Sequence, residues 1–320
     1  MIQGRTSVRS LHFFQTAGVG SAGLLGSIIM LSGSCQFEGV MLPPLAAPST
    51  FSLASSPLTQ PASLRYEVHS LERAMAHVVR IPNNGQYRIT PAVAPNLEKL
   101  AVLARQTGAI AAINAGFFDP QNQQTTSYVV AGGTVVDDPR QNASLMENPN
   151  AAPYLDRILN RSEFRRYACG TQERYGIARH ETPVPSGCRL EDAVGAGPQL
   201  LPELLAVEEG FVARAGTDVV RDAIGSFSPN ARSAIGIMPS GEVLLVIIAQ
   251  TGETGDRSGL SLPELADFMR SLGAQAAMNL DGGSSTSLYY RGITHLGRLD
   301  ANGQPIERSI KSAILVLPSN

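Results

Sequence analysis

A helix followed by glycine, a short apolar strand and an asparagine occurs twice in this chain, and it constrains the fold more than any other feature. Residues 108–114 and residues 273–279 both read Gly-Ala-x-Ala-Ala-apolar-Asn, and each follows apolar residues at helical spacing. The repetition predicts two similar helix–strand units that bring Asn114 and Asn279 to strand ends, close together and facing one pocket. In a chain rich in alanine, chance similarity is the alternative.

The two predicted helices have recognisable ends. In the first, Asn96 is expected to cap the N-terminus and Gly108 to end the helix. In the second, Ser261 and Glu264 form a capping box with a proline in the first turn, and Gly273 takes the C′ position. Each helix is therefore expected to stop immediately before its strand.

The second strand leads into the sequence Asn-Leu-Asp-Gly-Gly-Ser-Ser-Thr at residues 279–286. The two glycines let the backbone come close to a ligand, and Asp281 can serve as a base, a nucleophile or a metal ligand. The hydroxyls of Ser284 and Ser285 and the free N–H groups of the turn can hold an oxyanion or sugar hydroxyls. Because open α/β sheets place their sites at the carboxyl ends of strands, we expect a functional site here. A polar turn with a capping aspartate is the alternative.

Composition and charge restrict the class of protein. The chain has 320 residues, enough for one large domain or two small ones, and 43% of them are hydrophobic. Its net charge of −2 argues against a nucleic-acid partner, which normally requires a basic surface. The sequence contains no CxxC, HExxH or histidine-rich metal signature.

Apolar runs that predict strands outnumber the helical patterns. A hairpin is expected over residues 233–249, and a long polar insertion with few apolar runs occupies about residues 139–189. The other predicted strands cover residues 63–70, 74–81, 109–113, 127–131, 274–278, 286–290 and 310–317. We therefore predict an α+β or mixed α/β fold, in one domain from about residue 63, with a mixed sheet and flanking helices.

Residues 1–35 have the pattern of an export signal. Arg5 and Arg9 form a basic start, and residues 11–31 are apolar and rich in small side chains. Cys35 ends a Leu-Ser-Gly-Ser-Cys sequence that resembles a bacterial lipoprotein processing site. We expect an exported protein of the bacterial envelope, in the periplasm or at the cell surface.

Attachment to the membrane is expected through lipid on Cys35 or through the apolar segment itself. The residue three before the cysteine is Ser32, where leucine is usual, so a plain signal anchor is the alternative to lipidation. Residues 36–62 are rich in Pro, Ser, Ala and Thr, which is the composition of a flexible tether.

Export would place Cys169 and Cys188 in an oxidising compartment, where they can form a disulfide. Both lie in the polar insertion, and closing the short loop between them would contribute on the order of 3 kcal/mol. Two free thiols are the alternative, favoured by a cytosolic location.

Four short motifs give the chain from about residue 63 onward a resemblance to the phosphodiester glycosidase family. Departures are Ala115 and Ser284, each in place of a glycine, and Ser233 in place of a threonine, while the insertion matches nothing in the family. The matching elements, in the family's order, are Asn114-Ala115-Gly116-Phe117-Phe118, Gly197-Pro198-Gln199-Leu200, Arg232-Ser233-Ala234-Ile235-Gly236 and the turn that begins at Asn279.

The resemblance implies a hydrolase that cleaves the glycosidic bond of a sugar-1-phosphodiester or a related envelope or exopolysaccharide glycan. The leaving phosphate monoester needs little protonation, so the site should supply a cation for the phosphate and a carboxylate facing the anomeric carbon. Asp281 fits the carboxylate as nucleophile, base or oxocarbenium stabiliser. Arg232 fits the cation because its fork matches phosphate oxygens, and Arg308 is a second candidate.

Other residues are expected to bind substrate. Asn114 and Asn279 can bond sugar hydroxyls or hold the carboxylate, and Phe117 can stack on a sugar ring. The remaining candidates are Gly282, Gly283, Ser284, Ser285 and Gln199, and a partner carboxylate could come from Asp119, Glu253 or Asp256.

Two other classes of function stay open. An anchored envelope protein could bind polysaccharide without cutting it, or a metal-dependent phosphodiesterase could cleave the P–O bond. We expect no cofactor and no metal site, with a divalent cation at the glycine-rich turn as the alternative.

Overall fold

The computed structural model describes residues 63–252 and 257–319. The predicted signal segment, Cys35 with its predicted lipid attachment and the predicted tether lie outside the described residues, as do the candidate carboxylates Glu253 and Asp256. The described residues belong to one compact unit, residues 59–320.

Strands dominate this part of the chain. They are β1 (Arg65–Ser70), β2 (Ala74–Ile81), β3 (Tyr87–Glu98), β4 (Ala111–Asn114), β5 (Val129–Ala131), β6 (Thr134–Asp137), β7 (Ser162–Cys169), β8 (Gln172–Arg179), β9 (Cys188–Gly195), β10 (Gln199–Leu201), β11 (Val212–Ala215), β12 (Asp218–Asp222), β13 (Arg232–Ile237), β14 (Val243–Gln250), β15 (Ala276–Asn279), β16 (Ser287–Tyr290), β17 (Ile293–Leu296) and β18 (Ile310–Pro318).

The helices are short, and two of them, α1 and α4, belong to the predicted helix–strand units. The α-helices are α1 (Leu100–Thr107), α2 (Ala143–Met146), α3 (Leu155–Leu159) and α4 (Leu262–Ser271). The predicted capping box of α4 is present, with both of its hydrogen bonds. The predicted cap of α1 is wrong: Lys99 holds that position, because β3 continues through Asn96. Gly108 ends α1 in the left-handed region, at φ 70°, as expected.

The strands form three large sheets and one small one. The first sheet has the order β1-β2-β14-β13-β15-β10, the second β17-β16-β4-β18-β3, the third β6-β5-β9-β7-β8, and β11 and β12 form a separate pair. All the strand pairs within residues 63–252 and 257–319 are antiparallel. The fold is therefore mostly β, and the prediction of a mixed sheet is wrong.

The reason lies in how the two helix–strand units are built. In the first, α1 connects β3 to β4, and both strands pair with β18, which lies between them. In the second, α4 lies between β14 and β15 in the chain, and both strands pair with β13. The outer strands of each unit therefore run parallel to each other, but an antiparallel strand separates them. The predicted similarity of the two units is confirmed by this shared topology.

The largest part of the core lies between the first and second sheets. Apolar side chains from both sheets form it, among them Val79, Ile81, Ile113, Ile235, Leu245, Ile247, Met278, Leu288, Ile314 and Val316. α4 covers the other face of the first sheet, and α1 covers the other face of the second. β14 is apolar from Val243 to Ala249 because both of its faces are buried there.

The third sheet is built largely from the polar stretch in which the sequence predicts no strand. β7 is polar and still buried, because its charged side chains are paired: Arg165 with Glu163 at 2.8 Å and Arg166 with Asp192 at 2.7 Å. The predicted disulfide between Cys169 and Cys188 is confirmed, and it joins β7 to β9 at paired positions.

No helix within residues 63–252 and 257–319 is long and apolar enough to cross a membrane.

Candidate active site

The turn that follows β15 is held on both sides by backbone hydrogen bonds. The Asp281 N–H donates to the Ala115 carbonyl at 2.9 Å, just after β4. On the other side, the Leu280 N–H donates to Ser233 and the Gly283 N–H to Ala231, both at 2.8 Å. The ends of β4 and β15 and the start of β13 therefore converge on Asp281, which fixes where this carboxyl group lies.

Both glycines of the turn are required by its backbone. Gly283 has φ +59°, in the left-handed region that favours glycine. At Gly282 a Cβ would lie 3.0 Å from the Ala231 carbonyl oxygen, which is backbone and cannot move aside easily. The glycines thus allow the turn to lie directly against the start of β13.

Asn114 holds Asp281 from behind. It is 1% exposed, and its Nδ2 donates to the Asp281 carbonyl at 2.6 Å. Its Oδ1 accepts from Ser233 Oγ at 2.7 Å and from the Ser287 N–H at 3.0 Å. The structure places Asn114 close to Asn279, but behind the pocket wall and with its amide already bonded.

Asn279 lines the pocket and keeps one polar atom free. Its Nδ2 donates to the Gly197 carbonyl at 2.9 Å and to the Leu280 carbonyl at 2.7 Å. Its buried Oδ1 has no hydrogen-bond partner among the described residues. A buried acceptor without a partner costs free energy, and a ligand hydroxyl could satisfy it.

The converging strand ends enclose a pocket of about 170 Å³. Its lining residues are Phe117, Ile224, Asn230, Arg232, Asn279, Asp281, Gly282 and Gly283. A larger groove, of about 730 Å³, lies elsewhere beside Tyr87 and Tyr175 and contains none of the predicted site residues. We place the site in the smaller pocket because Asp281 and Asn279, the residue with the unsatisfied amide oxygen, both line it.

The carboxyl group of Asp281 has a strongly perturbed pKa. The residue is partly exposed, but its surroundings exclude most water, and this burial raises its pKa to about 6. The Ser285 hydroxyl, the Arg308 guanidinium and the Gly282 N–H each offset part of the rise. Ser285 Oγ is buried and has no hydrogen bond of good geometry within the described part, so we attribute its effect to proximity.

Arg232 forms the opposite wall, and most of its donors are occupied. Its side chain is buried; Nε donates to Leu260 O at 3.0 Å and Nη1 to Ile224 O at 3.1 Å. Nη2 donates to the carbonyls of Gly225 at 2.6 Å and Ser228 at 3.0 Å. Burial lowers the pKa of Arg232 to about 10, so the group stays charged near neutral pH. Four of its five N–H groups are therefore occupied, and three of them hold the loop at residues 224–228, which contributes Ile224 to the pocket.

Arg308 is the cation with donors to spare near Asp281. It is partly exposed, and its Nη1 donates to Ser284 Oγ at 3.2 Å. Its guanidinium lies 4.8 Å from the centre of the Phe118 ring. Its charge lowers the pKa of Asp281, which places it within electrostatic reach of the carboxyl group.

The other predicted residues divide between the pocket and its surroundings. Phe117 lines the pocket, with its ring 5.6 Å from that of Phe211. Gln199 is not in the lining: its backbone N–H donates to Glu209 at 2.9 Å and its side chain to Glu203 O at 3.3 Å. Asp119 accepts from the Gln121 N–H at 2.8 Å, as a turn residue does.

Sequence reasoning missed Ile224 and Asn230 in the lining, and Arg161 and Glu209 beside it. The first two lie in a loop without periodicity, and Arg161 lies in the polar insertion. No local signal in the sequence singles them out, because the fold brings them to the pocket from distant segments. Within the described ranges, no group of three or more His, Cys, Asp or Glu side chains could hold a metal ion.

The chain belongs to the phosphodiester glycosidase family, a family of glycosidase-type hydrolases, because the family's sequence profile matches residues 107–317. The matched segment contains both Asn-bearing strands, the arginine-bearing strand and the Asp281 turn. No curated protein matches the sequence.

Solved structures share the fold at low identity. A hypothetical protein from Synechocystis is 20% identical with a TM-score of 0.51; the match covers 80% of this chain but only 61% of that one. The catalytic domain of zebrafish N-acetylglucosamine-1-phosphodiester alpha-N-acetylglucosaminidase, auto-inhibited by its propeptide, is 17% identical with a TM-score of 0.55 over 79% of this chain and 82% of that one. A Burkholderia pseudomallei K96243 protein described as exported is 16% identical with a TM-score of 0.56 over 77% and 74%.

Proposed function

We propose that this protein hydrolyses the glycosidic bond of a sugar-1-phosphodiester in the Asp281 pocket. The observation that carries the proposal is the Asp281 carboxyl group, with its pKa raised to about 6, in a pocket that is also lined by Asn279 with its unsatisfied Oδ1, and within electrostatic reach of Arg308. Family membership supports the same class of reaction.

The chemistry follows from the leaving group. The bond between the anomeric carbon and the phosphate oxygen breaks, the phosphate monoester keeps the electron pair, and water supplies the oxygen on the anomeric carbon. Ionised Asp281 stabilises the positive charge that develops on the sugar ring, or attacks it. Asn279 Oδ1 accepts a hydrogen bond from a sugar hydroxyl, and Phe117 lies against the ring.

Arg308 is our first choice for the phosphate contact. Its guanidinium has unused donors in the described part and lies within electrostatic reach of Asp281, so it can bind phosphate oxygens next to the bond that breaks. Arg232 has one N–H left for such a contact, and its role as the phosphate ligand stays a prediction from the sequence.

We further propose that the protein works outside the cytoplasm on an envelope or exopolysaccharide glycan. The Cys169–Cys188 disulfide supports an oxidising compartment. Attachment through Cys35 remains a prediction. A palmitate analogue should label the wild type but not Cys35→Ser, and equal labelling of both would reject lipidation.

The experiment that tests the activity is a screen of the full-length protein against glycosyl-1-phosphodiesters in water enriched in ¹⁸O, with Asp281→Asn as the control. Incorporation of ¹⁸O into the sugar supports the proposal. Incorporation into the phosphate, lost after treatment with a chelator, would instead identify a metal-dependent phosphodiesterase. Binding of glycan without any turnover would identify a binding protein.

A further inference from the structure

A second cation lies one aromatic ring away from the pocket. The Arg161 guanidinium carbon is 3.7 Å from the centre of the Phe211 ring and 5.8 Å from that of Phe117. Phe117 is also part of the pocket wall that contains Asp281. Arg161 therefore lies against a ring of the pocket wall, within reach of a group that extends from a bound substrate past Phe117.

The guanidinium group of Arg161 has few hydrogen-bond or ion-pair partners for a cation packed against aromatic rings. Its Nε donates to the Glu209 backbone carbonyl at 3.2 Å, and its two terminal nitrogens have no hydrogen-bond partner in the described ranges. It forms no ion pair with any described carboxylate. Burial lowers its pKa to about 9; the charge of Glu209 offsets part of this fall, and the charge of Arg221 adds to it.

The nearest carboxylate is already engaged. Glu209 is fully buried and accepts from the Ser162 N–H at 3.0 Å, from Ser162 Oγ at 2.7 Å and from the Gln199 N–H at 2.9 Å. Burial raises its pKa, and the hydrogen bonds from Gln199 and Ser162 and the charge of Arg161 offset part of that rise. Arg221 adds a second guanidinium, whose Nε donates to Gly210 O at 3.3 Å and which lies 4.6 Å from the Tyr154 ring centre.

We infer that Arg161, with Arg221 beside it, is a subsite for a second anionic group on the aglycone of the substrate. The inference rests on the proposed function only in naming the aglycone. Both arginines are partly exposed, and their guanidinium groups lie against aromatic rings. Their forked donors can form charge-assisted hydrogen bonds with an arriving phosphate or carboxylate. The site would select substrates that carry one more negative charge beyond the scissile phosphodiester.

The kinetic test compares three substrates with one sugar: glycosyl-1-phosphoglycerol, the same compound with a terminal phosphate, and its glycerate analogue with a terminal carboxylate. Arg161→Gln should raise KM at least tenfold for the two doubly anionic substrates and less than twofold for the first. The larger of the two effects identifies phosphate or carboxylate as the preferred group. Arg189→Gln removes the same charge from an exposed position in the third sheet and should leave all three unchanged.

Equal losses on all three substrates, or none, would overturn the subsite. Arg161→Lys keeps the charge and should retain part of the selectivity, which separates a lost contact from a misfolded pocket. Thermal unfolding of each variant checks the fold.

A binding measurement separates failure of the subsite from failure of the proposed function. If the wild type hydrolyses none of the substrates, the proposed function fails, and the subsite is then judged by calorimetry with glycerol 3-phosphate. The titration is done in an Arg308→Gln background, so that the other cation does not contribute. Binding that disappears with Arg161→Gln and survives Arg189→Gln supports the subsite; no binding in the background variant overturns it.

Discussion

Replacing Arg232 by lysine decides whether this residue holds the pocket wall or binds phosphate. The arginine donates four hydrogen bonds to the carbonyls of Ile224, Gly225, Ser228 and Leu260, and it is only 2% exposed. An ammonium group is a compact donor and can reach about two of these four carbonyls. The variant therefore loses about two hydrogen bonds from a charged donor, each contributing roughly 1.5–3 kcal/mol.

We take the low end of the range for each of the two lost hydrogen bonds, because water can solvate part of an opened loop. Arg232→Lys should therefore lower the free energy of unfolding by about 3 kcal/mol. For a domain of this size, that corresponds to a fall in Tm of about 6–12 °C. Circular dichroism during thermal and urea unfolding measures it. Arg174→Lys, an exposed arginine in β8, is the matched control and should change stability by less than about 0.5 kcal/mol.

The same variant should reduce turnover of phosphodiester substrates and of aryl glycosides without phosphate to a similar extent, because a displaced loop opens the pocket to both. A variant as stable as the wild type that loses activity on phosphodiesters alone would refute this reasoning. Arg232 would then be the phosphate ligand that the sequence predicts.

Four further predictions concern the residues around the carboxylate. Asp281→Asn should keep the fold and lower turnover at least a thousandfold; near-normal turnover would make Asp281 a turn residue. The folded pKa of Asp281, about 6, lies above the ordinary 3.8, so the ionised carboxylate destabilises the protein. Asp281→Asn should therefore be more stable than the wild type by about 2–3 kcal/mol at pH 8. Urea titrations should show that this advantage disappears below pH 4. If the carboxylate is the active form of Asp281, kcat/KM should fall as the pH drops through 6. Arg308→Gln removes a charge that lowers the Asp281 pKa, so it should move this acidic limb of the pH profile to higher pH. A decline of kcat/KM above pH 6 would instead assign Asp281 as a general acid. Asn114→Ala leaves three buried groups without partners, so it should lower the free energy of unfolding in urea by about 3–5 kcal/mol. Asn302→Ala, at an exposed position, should leave the free energy of unfolding almost unchanged. Equal stabilities of the two variants would contradict the role we assign to Asn114.

Features that depend on neighbours in the chain could be predicted from the sequence. The capping box at Ser261, the left-handed Gly108, the hairpin of β13 and β14, and the two helix–strand units all follow from local patterns. The turn at Asp281 belongs with them, because glycines, a carboxylate and hydroxyls lie within a few residues of one another. The disulfide followed from the small number of cysteines and an expected oxidising location.

Features that depend on partners distant in the chain could not. β7 has no apolar alternation, since buried ion pairs such as Arg166 with Asp192 replace apolar contacts, and it was not predicted as a strand. The mixed sheet was a wrong expectation because nothing in a helix–strand unit reveals that β13 or β18 inserts between its outer strands.

The division is clearest among the charged and polar residues of the site. The sequence by itself predicted that Asp281, two asparagines and two arginines belong to one site. Only the tertiary structure decided what each does, because the role of a polar side chain depends on which of its hydrogen-bonding atoms are already satisfied. Most hydrogen-bonding atoms of Arg232 and Asn114 are already bonded to backbone groups. Asn279, Arg308 and Arg161 each keep hydrogen-bonding atoms with which to bind a ligand.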